Sequence, residues 1–230
     1  MSYSNLVLFG IYPYIAFAVF LIGNWARYDR EQYTWKAGSS QLLEKKWLRL
    51  GSIPFHVGVL GILAGHFVGL LTPVAVWHAL GVHAADKQML AIVMGGLFGL
   101  LCLFGLVILV LRRLLHPRVR ASSSTMDTLI LLLLLVQLLL GLFSITVSLG
   151  HLDGEEMLKL MTWAQSIVML NGVEAAQAIS GVHWIFKAHV ALGMTLFVLF
   201  PFSRLVHLLS VPVKYFGRNY QIVRQRAGRA

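Results

Sequence analysis

Four histidines lie inside long apolar stretches of the chain, and their positions suit them to binding a metal. His56 and His66 lie in residues 50–85, a stretch without Asp, Glu, Lys or Arg, and His189 and His207 lie in the last apolar stretch. An ionisable ring is costly in hydrocarbon, so each one is a candidate functional residue. Histidines facing each other across a helical bundle are suitable axial ligands for haem iron. Two histidines in each of two stretches therefore predict two b-type haems and a path for electrons.

The composition determines the class of protein that must position these rings. Of 230 residues, 58% are hydrophobic and only 12% are charged, which is too apolar for a soluble domain of this size. Each long apolar run can cross a bilayer as a helix, whereas an open strand cannot. The predicted fold is therefore an all-α integral membrane bundle of five helices, in a single domain over residues 1–230. The predicted spans are about 6–26, 53–73, 89–111, 129–149 and 183–209.

Basic residues concentrate in alternate loops, which predicts the orientation. By the positive-inside rule, the N-terminus lies outside and the C-terminus lies in the cytoplasm. The net charge of +10 then reflects topology and lipid contact rather than nucleic-acid binding. The single Cys102 excludes a disulfide within the chain. The basic residues are Arg27, Arg30, Lys36, Lys45, Lys46 and Arg49 after the first span, Arg112, Arg113, Arg118 and Arg120 after the third, and Lys214, Arg218, Arg224, Arg226 and Arg229 after the fifth.

This topology also predicts how the histidines pair. The second and fifth spans are antiparallel, so His66 should meet His189 near the outer face and His56 should meet His207 near the cytoplasmic face. The spacings do not match: 10 residues in one span and 18 in the other correspond to roughly 15 Å and 27 Å along ideal helices. Upright helices cannot satisfy both pairs, so helix tilt, side-chain reach or a bend at Pro201 must absorb the difference.

Small residues line the second span beside its two histidines. Gly58, Gly61, Gly65 and Gly69 recur at intervals of three and four residues, on neighbouring positions of a helix. Such glycines allow close packing of two helices. They would equally allow a flat macrocycle to lie against the helix, and the sequence leaves both explanations open.

Other roles for the histidines remain open from the residues alone. His183 could replace His189 as a ligand, because it lies about two turns nearer the outer end of the span. A single intramembrane histidine can also belong to a proton relay. The alternative function from a different class is therefore a haem-free, proton-coupled transporter.

Long segments of this sequence resemble the cytochrome b (gamma) subunit of respiratory nitrate reductase. The resemblance covers nearly the whole chain and includes all four histidines. It places the chain in a bacterial or archaeal cytoplasmic membrane as a multi-pass protein. The segments that carry it are IYPYIA at Ile11–Ala16, RYDREQYTWKAGSSQ at Arg27–Gln41, FHVGVLGILAGHFVGLLTP at Phe55–Pro73, RVRASSS at Arg118–Ser124 and KAHVALGMTLFVLFPFSRLVHLLSVPVKY at Lys187–Tyr215.

The resemblance implies a dihaem cytochrome that oxidises quinol near the outer face. Electrons then pass inward to an iron–sulfur beta subunit and on to a molybdenum-containing alpha subunit, both on the cytoplasmic side. The family's haem ligands match the four histidines, with the same pairing. Its quinol-pocket residues match Gly65, His66, Gly69 and Lys87, of which Lys87 and His66 are the candidate catalytic residues. Without the family, Lys87 would be interpreted as a lysine whose amine reaches the membrane surface.

Three arginines near the cytoplasmic face are candidates for binding the haem propionates. Arg204 lies three residues before His207, and Arg112 and Arg113 directly follow the third span. A guanidinium suits a carboxylate, although contact with lipid headgroups would explain the same positions. The alternative within the same class is a similar cytochrome that serves another cytoplasmic reductase, such as a heterodisulfide or sulfur-compound complex.

Overall fold

The computed structural model describes residues 2–210 and residue 217, and its regular elements there are helical. Five helices among these residues are long and apolar enough to cross a membrane. The predicted all-α membrane bundle is therefore confirmed, whereas its orientation stays a prediction. The basic residues Lys214, Arg218, Arg224, Arg226 and Arg229 lie outside the described residues. The helices are α1 (Tyr3–Arg30, with a π-helical turn at Leu6–Ile11), α2 (Lys46–Leu71), α3 (Val74–Ala79), α4 (Ala84–Leu115), α5 (Pro117–Ala121), α6 (Thr125–Ser148), α7 (Glu155–Val168), α8 (Gly172–Ala178) and α9 (Trp184–Leu199).

Helices α2 and α4 pack closely because glycines bring their backbones together. A Cβ built on Gly58 would lie 2.5 Å from the backbone nitrogen of Cys102, and one on Gly61 would clash with the ring of Phe98. In the reverse direction, a Cβ on Gly105 would meet the backbone of Phe55. These glycines therefore serve helix packing, as small residues do in membranes.

The segment between α6 and α9 forms a helical layer at one end of the bundle. Helix α7 at Glu155–Val168 is part of this layer and buries Met161, Trp163 and Ile167. The Trp163 indole donates a hydrogen bond to the carbonyl of Phe9 at 3.0 Å, and Gln165 donates to the carbonyl of Leu70 at 3.0 Å. Buried partners satisfy these polar groups, so the layer is attached to the ends of α1 and α2.

The fifth span is not the continuous helix that the sequence predicted over 183–209. Helix α9 ends at Leu199, a short 3-10 turn follows at Phe200–Phe202, Ser203 is extended, and a second 3-10 segment covers Arg204–Ser210. Pro201 explains the interruption, because proline lacks an N–H and its ring clashes with the preceding turn. The break changes the direction of the chain before His207.

Arg27 of α1 donates hydrogen bonds to two backbone carbonyls at this break. Its Nη1 donates to the carbonyl oxygens of Pro201 at 2.6 Å and Ser203 at 2.8 Å. Trp35 adds a hydrogen bond from its indole N–H to the hydroxyl of Ser210 at 2.6 Å. Helix α1 and the loop that follows it therefore hold the 3-10 segment that carries His207.

Candidate functional site: two facing histidine pairs

The four histidines form two facing pairs, in the combination that the topology predicted. The imidazole centroids of His66 and His189 lie 6.0 Å apart with an angle of 33° between the rings. Those of His56 and His207 lie 6.3 Å apart with an angle of 68°. We call them the outer pair and the inner pair, after the predicted orientation. His207 makes its contact with His56 from the 3-10 segment that follows the break at Pro201, and not from a straight continuation of α9.

The spacing in both pairs fits one metal ion between two imidazoles. A metal–nitrogen bond of about 2.0 Å on each side, with about 1.1 Å from each nitrogen to its ring centre, puts the centroids about 6.2 Å apart. The observed 6.0 Å and 6.3 Å agree with that spacing. Each pair would therefore be able to hold a haem iron between its two imidazoles.

Each histidine also has the tautomer that metal binding requires. Its Nδ1 lies within hydrogen-bond distance of a backbone carbonyl, which can only accept, so Nδ1 carries the proton and Nε2 keeps its lone pair. Such a bond orients the ring and strengthens the imidazole as a ligand. The acceptors are the carbonyls of Ser52 for His56 at 2.7 Å, Ile62 for His66 at 2.9 Å, Gln137 for His189 at 3.1 Å and Arg204 for His207 at 2.5 Å.

The glycine run of α2 divides into two functional halves. Gly58 and Gly61 pack against α4, whereas a Cβ built on Gly65 or Gly69 would meet no atom within 4 Å. These two glycines flank His66, which is itself exposed. Within residues 2–210, α2 packs mainly on α4, whereas α9 packs mainly on α1 and α6. The arrangement leaves room for a flat group beside His66.

Lys87 is buried next to this open stretch rather than extended to the membrane surface. Only 6% of the surface of Lys87 is exposed. Its amine donates a hydrogen bond to the carbonyl of Gly69. The amine also lies 5.0 Å from the centroid of the Trp77 ring, a cation–π contact. The structure therefore brings together Lys87 and Gly69, two residues that the family resemblance assigned to one pocket.

Two further histidines line the small cavity beside Lys87. His78 and His83 lie there with Trp77 and Met161, and their ring centroids are 6.1 Å apart. The sequence pattern did not single them out, because loop histidines carry no periodic signal. By contrast, His183 is exposed and its Nδ1 caps α9, accepting from Ile185 at 3.4 Å, so it does not replace His189 in the outer pair.

The predicted propionate contact of Arg112 is not supported, because its donors are engaged elsewhere. Its side chain is 3% exposed, pairs with Glu44 at 2.9 Å, and also binds Ser40. Arg204 forms an ion pair with Asp127 at 2.9 Å and keeps 27% of its side chain exposed. A contact of Arg204 with a propionate stays a prediction, and Arg112 instead holds the loop before α2.

The comparison with known families agrees with this geometry. Residues 5–226 match the model of the family described as nitrate reductase gamma subunit. The chain belongs to that family. It is 54% identical to the respiratory nitrate reductase 1 gamma chain of Escherichia coli K12, over 98% of this chain and 100% of that protein. It is 49% identical to the respiratory nitrate reductase 2 gamma chain of the same strain, over 98% of this chain and 99% of that protein. It is 38% identical to the nitrate reductase gamma chain of Bacillus subtilis 168, over 97% of this chain and 100% of that protein.

Membership of the gamma subunit family establishes several coarse properties. The chain is a multi-pass protein of the bacterial inner membrane and a subunit of an oxidoreductase complex for nitrate. It works with the other subunits of that complex. Nitrate reductase gamma chains contain haem b, and both histidine pairs of this chain fit that cofactor.

One polar residue that contacts the outer pair of this gamma subunit has no counterpart among the candidates from the sequence. Gln137 lies in the leucine-rich part of α6, and both its carbonyl and its side-chain amide contact His189. The available signal was a single amide in an otherwise apolar span, which is costly unless it has a partner.

The ion pair between Arg112 and Glu44 predicts that acid weakens the attachment of the loop. Burial alone would raise the pKa of Glu44, but hydrogen bonds from the backbone N–H of Trp47 and from Arg112 outweigh burial, so the pKa lies below its ordinary value of 4.5. A carboxylate whose pKa is lowered by folding contributes its full stabilisation at pH values above its ordinary, unfolded-state pKa. That stabilisation is lost as the pH falls through the pKa of the folded state. We expect the thermal unfolding midpoint to fall with acidification below about pH 4.5.

The control for this pH dependence is Glu44→Gln. That variant should have a lower midpoint at neutral pH and a smaller decrease in acid, since it has no carboxylate to protonate. Equal decreases in the wild type and the variant would show that other groups cause the acid sensitivity.

Proposed function

We propose that this chain is the quinol-oxidising cytochrome b subunit of a respiratory nitrate reductase. It holds two b haems, one between His66 and His189 and one between His56 and His207. When bound, the haems supply one-electron transfer between the two sides of the membrane. The observation that carries the proposal is the spacing of the two pairs, 6.0 Å and 6.3 Å between ring centroids.

The residues beside the outer pair can bind and orient a quinol. Gly65 and Gly69 leave room next to His66 for a flat ring. The amine of Lys87, already aimed at the carbonyl of Gly69, can donate a hydrogen bond to a quinol oxygen and stabilise the negative charge that develops as its proton leaves. Burial strengthens this interaction because little water screens it.

The predicted orientation gives this chemistry a direction. Protons from quinol leave on the outer side, while electrons go to an iron–sulfur beta subunit and a molybdenum-containing alpha subunit on the cytoplasmic side. Each electron that crosses a potential of 100 mV is worth about 2.3 kcal/mol. The loop before α2 offers the partners an apolar contact, because Arg112 anchors it and Leu42 and Tyr33 are fully or almost fully exposed.

The test is the haem content of the purified three-subunit complex. We expect about two b haems per gamma chain in the wild type, and about one in both His66→Ala and His56→Ala, since each variant removes one ligand pair. His151→Ala is the matched control, because His151 is exposed and belongs to neither pair, and it should keep both haems.

Nitrate reduction by the same complexes separates the gamma subunit from its partners. With quinol as donor, both ligand variants should lose activity. With a reduced dye that feeds the cytoplasmic subunits directly, activity should persist. A wild-type complex without haem would overturn the proposal and favour the proton-coupled transporter.

A further inference from the structure

His189 differs from the other three paired histidines in the source of its hydrogen-bond acceptor. His56, His66 and His207 each bond to a carbonyl three or four residues earlier in their own segment. The Nδ1 of His189 instead bonds to the carbonyl of Gln137, which lies 52 residues away in α6. The rotation of this ring therefore depends on how α6 and α9 are positioned relative to each other.

The side chain of Gln137 completes a two-way contact between these helices. Its Nε2 donates to the backbone carbonyl of His189 at 3.1 Å and lies 3.3 Å from the Nε2 of the same imidazole. The backbone of Gln137 thus accepts from His189, while its side chain donates to His189. Bonds in both directions fix the separation and the rotation of the two helices at this level.

Two glycines allow this approach. A Cβ built on Gly141, one turn after Gln137, would lie 3.1 Å from the Cε1 of His189. A Cβ on Gly193, one turn after His189, would lie 3.3 Å from the Nε2 of Gln137. Both distances are shorter than ordinary van der Waals contact, so a methyl group at either site would push the ring or the amide away.

The stability of the fold does not by itself explain why a side-chain amide is present at position 137. The Oε1 of Gln137 is buried and has no hydrogen-bond partner among residues 2–210. A buried acceptor left unpaired costs about 1–3 kcal/mol, so a leucine of similar size could be as stable or more stable here. The polar side chain therefore suits a role in orienting His189.

We infer that Gln137, with Gly141, is a positioning residue for the outer haem ligand. The carbonyl of Gln137 accepts from the Nδ1–H of His189, and its side-chain amide donates to the backbone carbonyl of His189, so Gln137 fixes the rotation of the ring against α6. The inference rests on the proposed function, because it assumes that the outer pair binds haem. Changing the orientation or donor strength of an axial imidazole changes the reduction potential of the iron it holds.

The test compares Gln137→Leu and Gly141→Ala in the intact three-subunit complex by redox titration and low-temperature EPR. We expect both haems to remain, the potential and low-spin signal of the outer haem to shift, and those of the inner haem to stay unchanged. His66→Ala and His56→Ala identify which signal belongs to which haem. Gly95→Ala is the matched control, because its Cβ would meet only Ile145 at 3.7 Å, an ordinary contact.

Each outcome decides the inference. A shift of the outer haem alone, or its selective loss in Gly141→Ala, supports it. Unchanged potentials in both variants, or equal shifts of both haems, would overturn it, since equal shifts indicate general loosening of the bundle. A wild-type complex without two haems would instead reject the proposed function, so the two failures are distinguishable.

Discussion

Replacing Lys87 with methionine is expected to lower quinol-dependent nitrate reduction by roughly 10²–10³-fold while both haems remain in place. The amine is buried, hydrogen-bonded to the carbonyl of Gly69 and close to the ring of Trp77, so its position is fixed before any substrate arrives. Methionine keeps a similar length but removes the positive charge and the donor. This loss of activity is the size expected when one preorganised, charged hydrogen-bond donor is removed from a site with little water.

The measurement is steady-state nitrate reduction by the complex in vesicles, with quinol and with a reduced dye as alternative donors. Only the quinol reaction should fall. Lys159→Met is the matched control, because Lys159 lies in α7, pairs with Glu156 at 3.2 Å and is partly exposed. A Lys87→Met complex with wild-type quinol activity would remove this residue from the proposed mechanism.

The second large effect is expected from Arg27→Leu, which should remove the inner haem selectively. Arg27 donates to the carbonyls of Pro201 and Ser203, which lie at the break after α9. Hydrogen bonds to a charged donor contribute about 1.5–3 kcal/mol each, so their loss destabilises the 3-10 segment that carries His207. The outer pair lies on continuous parts of α2 and α9 and should be unaffected.

Haem quantification and redox titration test this expectation. About one haem per chain should remain, with the potential of the outer haem. Arg30→Leu is the control, because Arg30 is an exposed arginine at the end of the same helix. Loss of both haems, or of neither, would contradict a local role for Arg27 at the inner pair.

Lys87 and Arg112 show where sequence reasoning reached its limit. For both residues, the sequence located the correct end of a membrane helix but not the side chain's partners. Lys87 could have reached the membrane surface, and Arg112 could have faced a propionate, because a long flexible side chain can reach several partners. Contacts with residues distant in sequence, Gly69 for one and Ser40 and Glu44 for the other, decide between these roles.

The sequence by itself determined the class of the protein, the five membrane helices and the pairing of the four histidines. These follow from hydropathy and helix direction, which are properties of local segments and of their order along the chain. Only the tertiary structure decided how both pairs can form at once, which glycines pack and which leave room, and that α6 supplies the acceptor for His189. Those outcomes depend on the break at Pro201 and on atoms brought together from separate helices, and no spacing along one helix encodes them.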